Sequence, residues 1–429
     1  MLRRIRLKNY KSFVQAELQA GPLTVIFGPN DAGKSNLLDA FNLLSELVEV
    51  DSLKKAFDPR THRGRILEAF HSPFGFGEEG LKRIKERAQL ELELEVDIHL
   101  QEHTQQRINE LLKERERLAE AKVAYTRVAE SRLRYRVALR YDYESGEPFV
   151  FDEKLAALNQ AGDEKQSRNP FIDFDSQKRR FIARVERQSH PRYFDPNRNR
   201  TLLSELSDPV YHPHVVAAKE EIRSWRSYYV EPSLVREESG VHGADDPGRH
   251  GEELAAFYWK LKHEFPARFK TLSLNLQKLI PSLQAIDVRQ VQGTLHPVII
   301  NRGGAEFPFR LASEGTLRLL CLLAIAIAPN APAMVAYEEP ENGVQPGRLD
   351  ILAEILSGLA RRGQTQVILT THSPTFLERI GEGELINCKR DREGRSIFVP
   401  YTQRDRVFAP EDLEEKTPLY EKLVRGEFQ

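Results

Sequence analysis

Apolar and polar positions alternate in the opening Ile5-Arg6-Leu7-Lys8-Asn9-Tyr10, which predicts a half-buried strand, and Leu23-Thr24-Val25-Ile26-Phe27 is a compact apolar run that predicts a second. A loop from Gly28 to Ser35 follows, then a helix from Asn36-Leu37-Leu38-Asp39-Ala40-Phe41 onward. Residues 51–89, with scattered Gly and Pro, read as loops and short helices. Leu90 to Ile98 alternates apolar with acidic residues, and Leu133 to Tyr141 alternates apolar with basic ones. Two such strands suit each other as neighbours, since opposite charges across a ladder are mildly stabilising.

Between them, Gln101 to Arg132 lacks Gly and Pro and reads as helix. One unbroken helix of that size would carry the chain roughly 45 Å, too far for the flanking strands to meet. Either the helix doubles back or the strands are not neighbours. Residues 142–250 are turn-rich with one helical piece around Val215 to Tyr229, and Gly251 to Phe269 and Thr271 to Leu283 read as amphipathic helices. From Ala285 the chain returns to strand. The expected organisation is a head built from residues 1–89 and 251–429, with 90–250 inserted as a strand and helical arm.

The chemistry sits at strand ends. Gly28-Pro29-Asn30-Asp31-Ala32-Gly33-Lys34-Ser35 fits G-x-x-x-x-G-K-S/T between a predicted strand and a predicted helix. Its backbone amides, from Asn30 through Asn36, would face phosphates, Lys34 would reach the terminal ones, and the Ser35 hydroxyl would ligate magnesium. Ala333 to Tyr337 is a short apolar run ending in Glu338-Glu339-Pro340, the position for a metal carboxylate and a water-polarising one. Ser313-Glu314-Gly315-Thr316 opens an apolar helix, so Ser313 and Gly315 form an N-terminal anion site. Val367 to Thr371 ends in His372, placed to sense a terminal phosphate.

Taken in order, these elements resemble the AAA-family ATPases of the SMC/RecF/OLD group, which carry an ABC-type head. Ile5 to Phe13 is similar to that group's first strand, Ser313 to Thr316 to its signature, Glu338-Glu339-Pro340-Glu341-Asn342-Gly343 to its Walker B and D-loop, and Thr371-His372-Ser373 to its switch histidine. Pro418 to Glu427 is similar to the tail of compact members. Glu338 stands where the family carries aspartate, and Gln345 where many relatives have histidine. Gln160, Gln166, Gln177 and Gln188 are all candidates for the Q-loop glutamine.

The resemblance implies an α/β P-loop fold of ABC-ATPase type, a mixed sheet flanked by helices, with ATP and Mg2+ as ligands. It also implies a homodimer or higher homo-oligomer in which the signature of one copy completes the phosphate site of another, with Glu339 and His372 catalytic and Ser35 and Glu338 on the metal. The chain ends soon after His372 and leaves no room for a Toprim nuclease domain, so a separate effector, a nuclease or toxin, is expected in DNA repair or antiphage defence.

Composition narrows the partners. Lys plus Arg (63) nearly cancels Asp plus Glu (64), so DNA contact would need a local patch. Lys178-Arg179-Arg180, Arg184, Arg187, Arg192, Arg198 and Arg200, interleaved with Phe181, Tyr193 and Phe194, are the candidates; an ion-paired face is the other reading. The alternative function is a scaffold that holds a toxin or nuclease without touching nucleic acid. Two cysteines, Cys321 and Cys388, give no disulfide framework or zinc cluster. No apolar stretch reaches the roughly 20 residues of a membrane span, and a cytoplasmic protein is expected.

Overall fold

Short apolar runs with no polar face suit strands covered on both sides, and the computed structural model uses them so. It describes residues 1–401 apart from 59–61, 73–74, 76, 88–89, 119–124, 187–189 and 381–382, so the tail Pro418 to Glu427 lies outside the described residues. The first part of the chain supplies β1 (Leu2–Tyr10), β2 (Phe13–Gln19), β3 (Leu23–Phe27), β4 (Leu90–His99), β5 (Arg132–Asp142), β6 (Glu147–Ala157), β7 (Ile172–Asp175), β8 (Arg180–Ala183) and β9 (Arg192–Phe194). Then come β10 (Trp225–Tyr228), β11 (Ser239–Gly240), β12 (Leu283–Val291), β13 (Thr294–Asn301) and β14 (Glu306–Pro308), and last β15 (Met334–Glu338), β16 (Gln366–Thr371), β17 (Glu384–Arg390) and β18 (Ser396–Tyr401).

One sheet runs β2-β1-β4-β5-β6-β7-β8-β9, all antiparallel, and a second runs β10-β15-β16-β3-β17-β18, parallel except for β18. A smaller sheet holds β11, β13 and β12, with β14 against β13. Side chains of the parallel sheet alternate between two cores: Ile26, Met334, Ala336 and Ile368 face one, and Val25, Phe27, Val335, Tyr337, Val367 and Leu369 face the other. The helix Lys34–Glu49 packs on the first core, with Leu37, Phe41, Leu44 and Val48 buried. The helices Leu254–Glu264, Glu314–Ile327 and Leu349–Arg361 pack on the second.

The acidic and basic strands are neighbours. In the β4–β5 register Glu91 faces Arg140, Glu95 faces Arg136 and Asp97 faces Arg134. Arg134 grips Asp97 at 2.6 and 3.0 Å, Arg140 reaches Glu91 at 2.7 Å, and Arg136 turns to Asp152 on β6 at 2.7 Å. The helix between them is described over Glu102–Leu118, and the chain reaches β5 through irregular backbone from 125 to 131. That return is why the strands can meet.

Three readings of local structure are corrected. The stretch around Val215 to Tyr229 is a helix only over Pro213–Arg223; Trp225–Tyr228 is β10, a parallel partner of β15. The turn-rich 142–250 contains the eleven-residue β6, whose period is obscured by half-buried Phe149 and Phe151 on its more open face, by the buried Glu153 on the other, and by a register shift against β5. The two amphipathic helices break at Phe265, not Phe269, because Pro266 takes the first position of the second helix, where its missing N–H costs nothing. Among the described residues no helix is long and apolar enough to cross a membrane.

Candidate functional site

In an open parallel sheet, ligands bind beyond the carboxyl ends of the strands. Glu338 pairs with Thr370 across β15 and β16, and Thr371 pairs with Phe27 across β16 and β3, so three strands end at the same level. The loop Gly28 to Ser35, the pair Glu338-Glu339, and Thr371-His372 all leave from that edge. The apolar register alone thus brings the predicted groups together.

The loop is built for close approach. Gly28 has φ 149°, and a Cβ there would lie 2.0 Å from the Cys388 carbonyl oxygen of β17. Asn30 and Asp31 are exposed at its crest, where Arg390 donates to the Asp31 carbonyl at 2.7 and 3.0 Å. Cys388 Sγ donates to the Ala32 carbonyl at 3.3 Å, and burial pushes this thiol up to about 12, so it acts as a neutral packing group. Gly33 precedes the helix, whose first turn carries no acidic side chain to compete for its free amides. Asn36 donates to Ser12 Oγ at 2.9 Å, tying the helix to the β1–β2 turn. An open cavity of about 370 Å³ borders this helix, lined in part by Lys11, Ser12, Asn36 and Arg63.

Lys34 is buried and folds back on the loop, donating to the Gly28 and Pro29 carbonyls at 2.8 Å each. Burial lowers its pKa, against the opposing charges of Glu339, Glu338 and Glu341. Ser35 Oγ donates to Glu338 Oε1 at 2.5 Å. Hydroxyl and carboxylate oxygens are the hard donors magnesium takes, and the remaining positions are commonly filled by phosphate and water. Ser35 and Glu338 therefore fit a nucleotide-bound magnesium. Among the described residues there is no cluster of three or more His, Cys, Asp and Glu side chains that would hold a metal alone.

Glu339 lies one residue beyond the strand with φ 47°, in the left-handed region that few residues other than glycine enter. Its amide donates to the Thr370 carbonyl at 2.9 Å, which fixes the turn. His372 Nδ1 meets Glu339 Oε1 at 2.9 Å and Asn342 donates to Oε2 at 2.6 Å. Burial alone would raise the Glu339 carboxyl, but these two hydrogen bonds, with the charges of His372 and Lys34, outweigh it and hold it below its ordinary value. Glu341 behaves oppositely: burial raises it, although Thr371 bonds to one oxygen.

Ser313 caps its helix, accepting from the Thr316 amide at 3.3 Å, and its side chain is exposed. Gly315 is tighter still, since a Cβ there would stand 2.0 Å from the Gly343 carbonyl oxygen. The start of this helix is thereby seated on the turn that follows Glu339.

Sequence reasoning missed a buried hub. Asp39 of the helix accepts from Tyr10 at 2.8 Å, Lys11 at 2.5 Å and the Arg63 amide at 3.1 Å, with His62 at 3.1 Å and Arg249 at 3.5 Å. Arg63, so anchored, reaches Glu338 with both terminal nitrogens, at 3.3 and 2.7 Å. The contact spans 275 residues of sequence, so no motif spacing could reveal it. Gln160, Gln166 and Gln177 are exposed around the turns of the eight-stranded sheet, and Gln188 lies outside the described residues.

The basic stretch is engaged in part, with Lys178, Arg179 and Arg192 exposed. Arg198 and Arg200 both pair with Glu205, Arg184 donates to the Pro170 carbonyl, and Arg180 lies over the Tyr193 ring at 3.6 Å. Arg192 sits over Tyr211 at 5.4 Å, Phe181 is core, and Arg187 lies outside the described residues.

Comparison with known proteins gives a family and a fold. Residues 108–378, more than half the chain, match the family model described as "AAA domain, putative AbiEii toxin, Type IV TA system", and residues 1–200 match one described as "AAA ATPase domain". An OLD nuclease of Thermus scotoductus (strain ATCC 700910 / SA-01) is 46% identical over 44 residues, which is 10% of this chain and 8% of that protein. Among solved structures, an Smc head bound to the C-terminal winged-helix domain of ScpA is similar at TM-score 0.56 and 12% identity, over 94% of this chain and 99% of that one. An Smc head with an extended coiled coil, bound to the C-terminal domain of ScpA from Pyrococcus furiosus, follows at 0.54 and 12%, over 96% and 99%. The fold is that of an SMC-type ABC-ATPase head. With its P-loop in place, the chain belongs to the AAA ATPase family, with a short stretch similar to an OLD nuclease and a fold similar to Smc heads.

Proposed function

We propose that the protein is an ATP-driven switch in which two copies close on two nucleotides and hydrolysis releases them. The observation that carries this reading is the division of the site. Lys34, Ser35, Glu338, Glu339 and His372 share one sheet edge, whereas the exposed Ser313 bonds within its own helix turn and faces outward. A helix N-terminus with an exposed hydroxyl suits phosphate, and a second copy is its natural supplier.

In this scheme the loop amides and Lys34 hold the triphosphate, and Ser35 and Glu338 hold magnesium. When bound, the ion would offset charge on the transferred phosphoryl group. Glu339, kept ionised by its partners, orients and deprotonates the attacking water, and His372 fixes the carboxylate's direction. Asn342 holds the other oxygen.

As to what the switch controls, action on DNA with a separate nuclease or toxin draws support from the short match to an OLD nuclease and the toxin-type family description. The pairing of Arg198 and Arg200 with Glu205 supports the second reading, a scaffold that holds an effector without nucleic acid.

Two substitutions test the site. Lys34→Ala should weaken ATP binding at least about tenfold, the loss of one charge-assisted contact in a partly buried site. Glu339→Gln should bind ATP as the parent does and stop turnover. Hydrolysis at the parental rate in Glu339→Gln would show that another group is the base.

A further inference from the structure

Glu338 is a nearly buried carboxylate beside the loop that would receive a triphosphate, an arrangement that repels the ligand unless a cation intervenes. In the structure the cation is a guanidinium. Arg63 meets both oxygens of Glu338, while Ser35 bonds one of them, so the oxygens that suit magnesium are engaged by the chain itself. Arg63 is not a loose surface side chain. Its amide donates to buried Asp39 on the P-loop helix, its carbonyl accepts from Lys11 Nζ at 2.7 Å, and its guanidinium lies 4.7 Å from the Tyr229 ring centre. The backbone is clamped, and only the side chain has freedom to leave.

We propose that Arg63 is an internal counter-cation for Glu338: it neutralises that carboxylate while no metal is held and yields it when magnesium arrives with nucleotide. The proposal rests on the reading of this edge as an ATP site. It makes Arg63 a positioning residue that sets how strongly nucleotide binding depends on metal. A residue whose only role is to grip phosphate would set the affinity itself.

The distinction is a coupling, and coupling is measured by a thermodynamic cycle. ATP affinity is determined by calorimetry in magnesium chloride and in EDTA for the wild-type chain, Arg63→Ala, Arg63→Lys and the double variant Arg63→Ala/Glu338→Gln. The wild-type chain should retain measurable affinity without metal. Arg63→Ala should lose at least tenfold in EDTA and much less in magnesium, because the ion replaces the missing charge. Arg63→Lys should keep most of the metal-free affinity, and the double variant should regain it, since the carboxylate that needed a partner is gone. Equal losses in the two buffers for Arg63→Ala, a wild-type chain that binds ATP only with magnesium, or no recovery in the double variant would each overturn the assignment alone. No ATP binding by the wild-type chain in either buffer would sink the nucleotide site and this assignment with it.

Discussion

Glu339 is held between two opposed influences, and the balance makes a prediction. Burial favours its neutral form, while His372 and Asn342 favour the carboxylate and prevail. Removing His372 leaves burial less opposed, so the Glu339 pKa must rise. The acid limb of ATP hydrolysis in His372→Ala should move to higher pH than in the parent; an unmoved limb would separate His372 from the base. His62 gives a second case, in stability. Burial lowers it to about 4, even beside Asp39. A histidine neutral in the fold but protonated near 6.5 when unfolded contributes stability present above pH 6.5 and lost as pH falls toward 4, about 3 kcal/mol in all. Glu153 pulls the other way: burial raises it to about 7, so its contribution is present below its ordinary value near 4.5 and lost as pH rises through 7. The two oppose each other over the same window, and each is read as a difference. The unfolding free energy of wild type minus His62→Asn should fall from pH 7 to pH 4, and wild type minus Glu153→Gln should rise.

At the scale of elements, the legible parts were those whose local pattern and function coincide. β3, β15 and β16 are short apolar runs ending in chemistry, and each was predicted from sequence because burial on both faces leaves no polar interruption. β10 was misread as helix because its four residues continue a helical stretch and declare themselves only by pairing with β15. The β4–β5 pairing was legible as charge complementarity, but its realisation depended on the irregular backbone of 125–131 that leads back to β5. The signature helix carries a prediction of its own. Gly315→Ala places a methyl group against the Gly343 carbonyl, so the helix start must move away from the turn behind Glu339. We expect a loss of about 1–3 kcal/mol in chemical denaturation, and turnover reduced more than ATP binding. Unchanged stability and turnover would show that the seating is slack.

For the whole molecule, the sequence specified a head with all its motifs but not the contacts that join them across the chain. Arg63, Asp39 and Arg249 were invisible because their partners come from distant segments meeting at one sheet edge, and nothing in local spacing records that. The same distance argument underlies the proposed dimer: the buried Lys34 at the sheet edge and the exposed Ser313 at its helix start are each half of a site. Mixing Lys34→Ala chains with Ser313→Arg chains should therefore restore hydrolysis that neither has alone, because a mixed pair contains one intact composite site. Activity that stays at the level of the separate chains would argue for sites complete within one copy.

The most direct measurement is a structure of Glu339→Gln with magnesium and ATP. The account predicts two copies face to face, with the triphosphate between Lys34 of one and Ser313 of the partner subunit. A single copy with its phosphates open to solvent, or covered by its own signature, would contradict it.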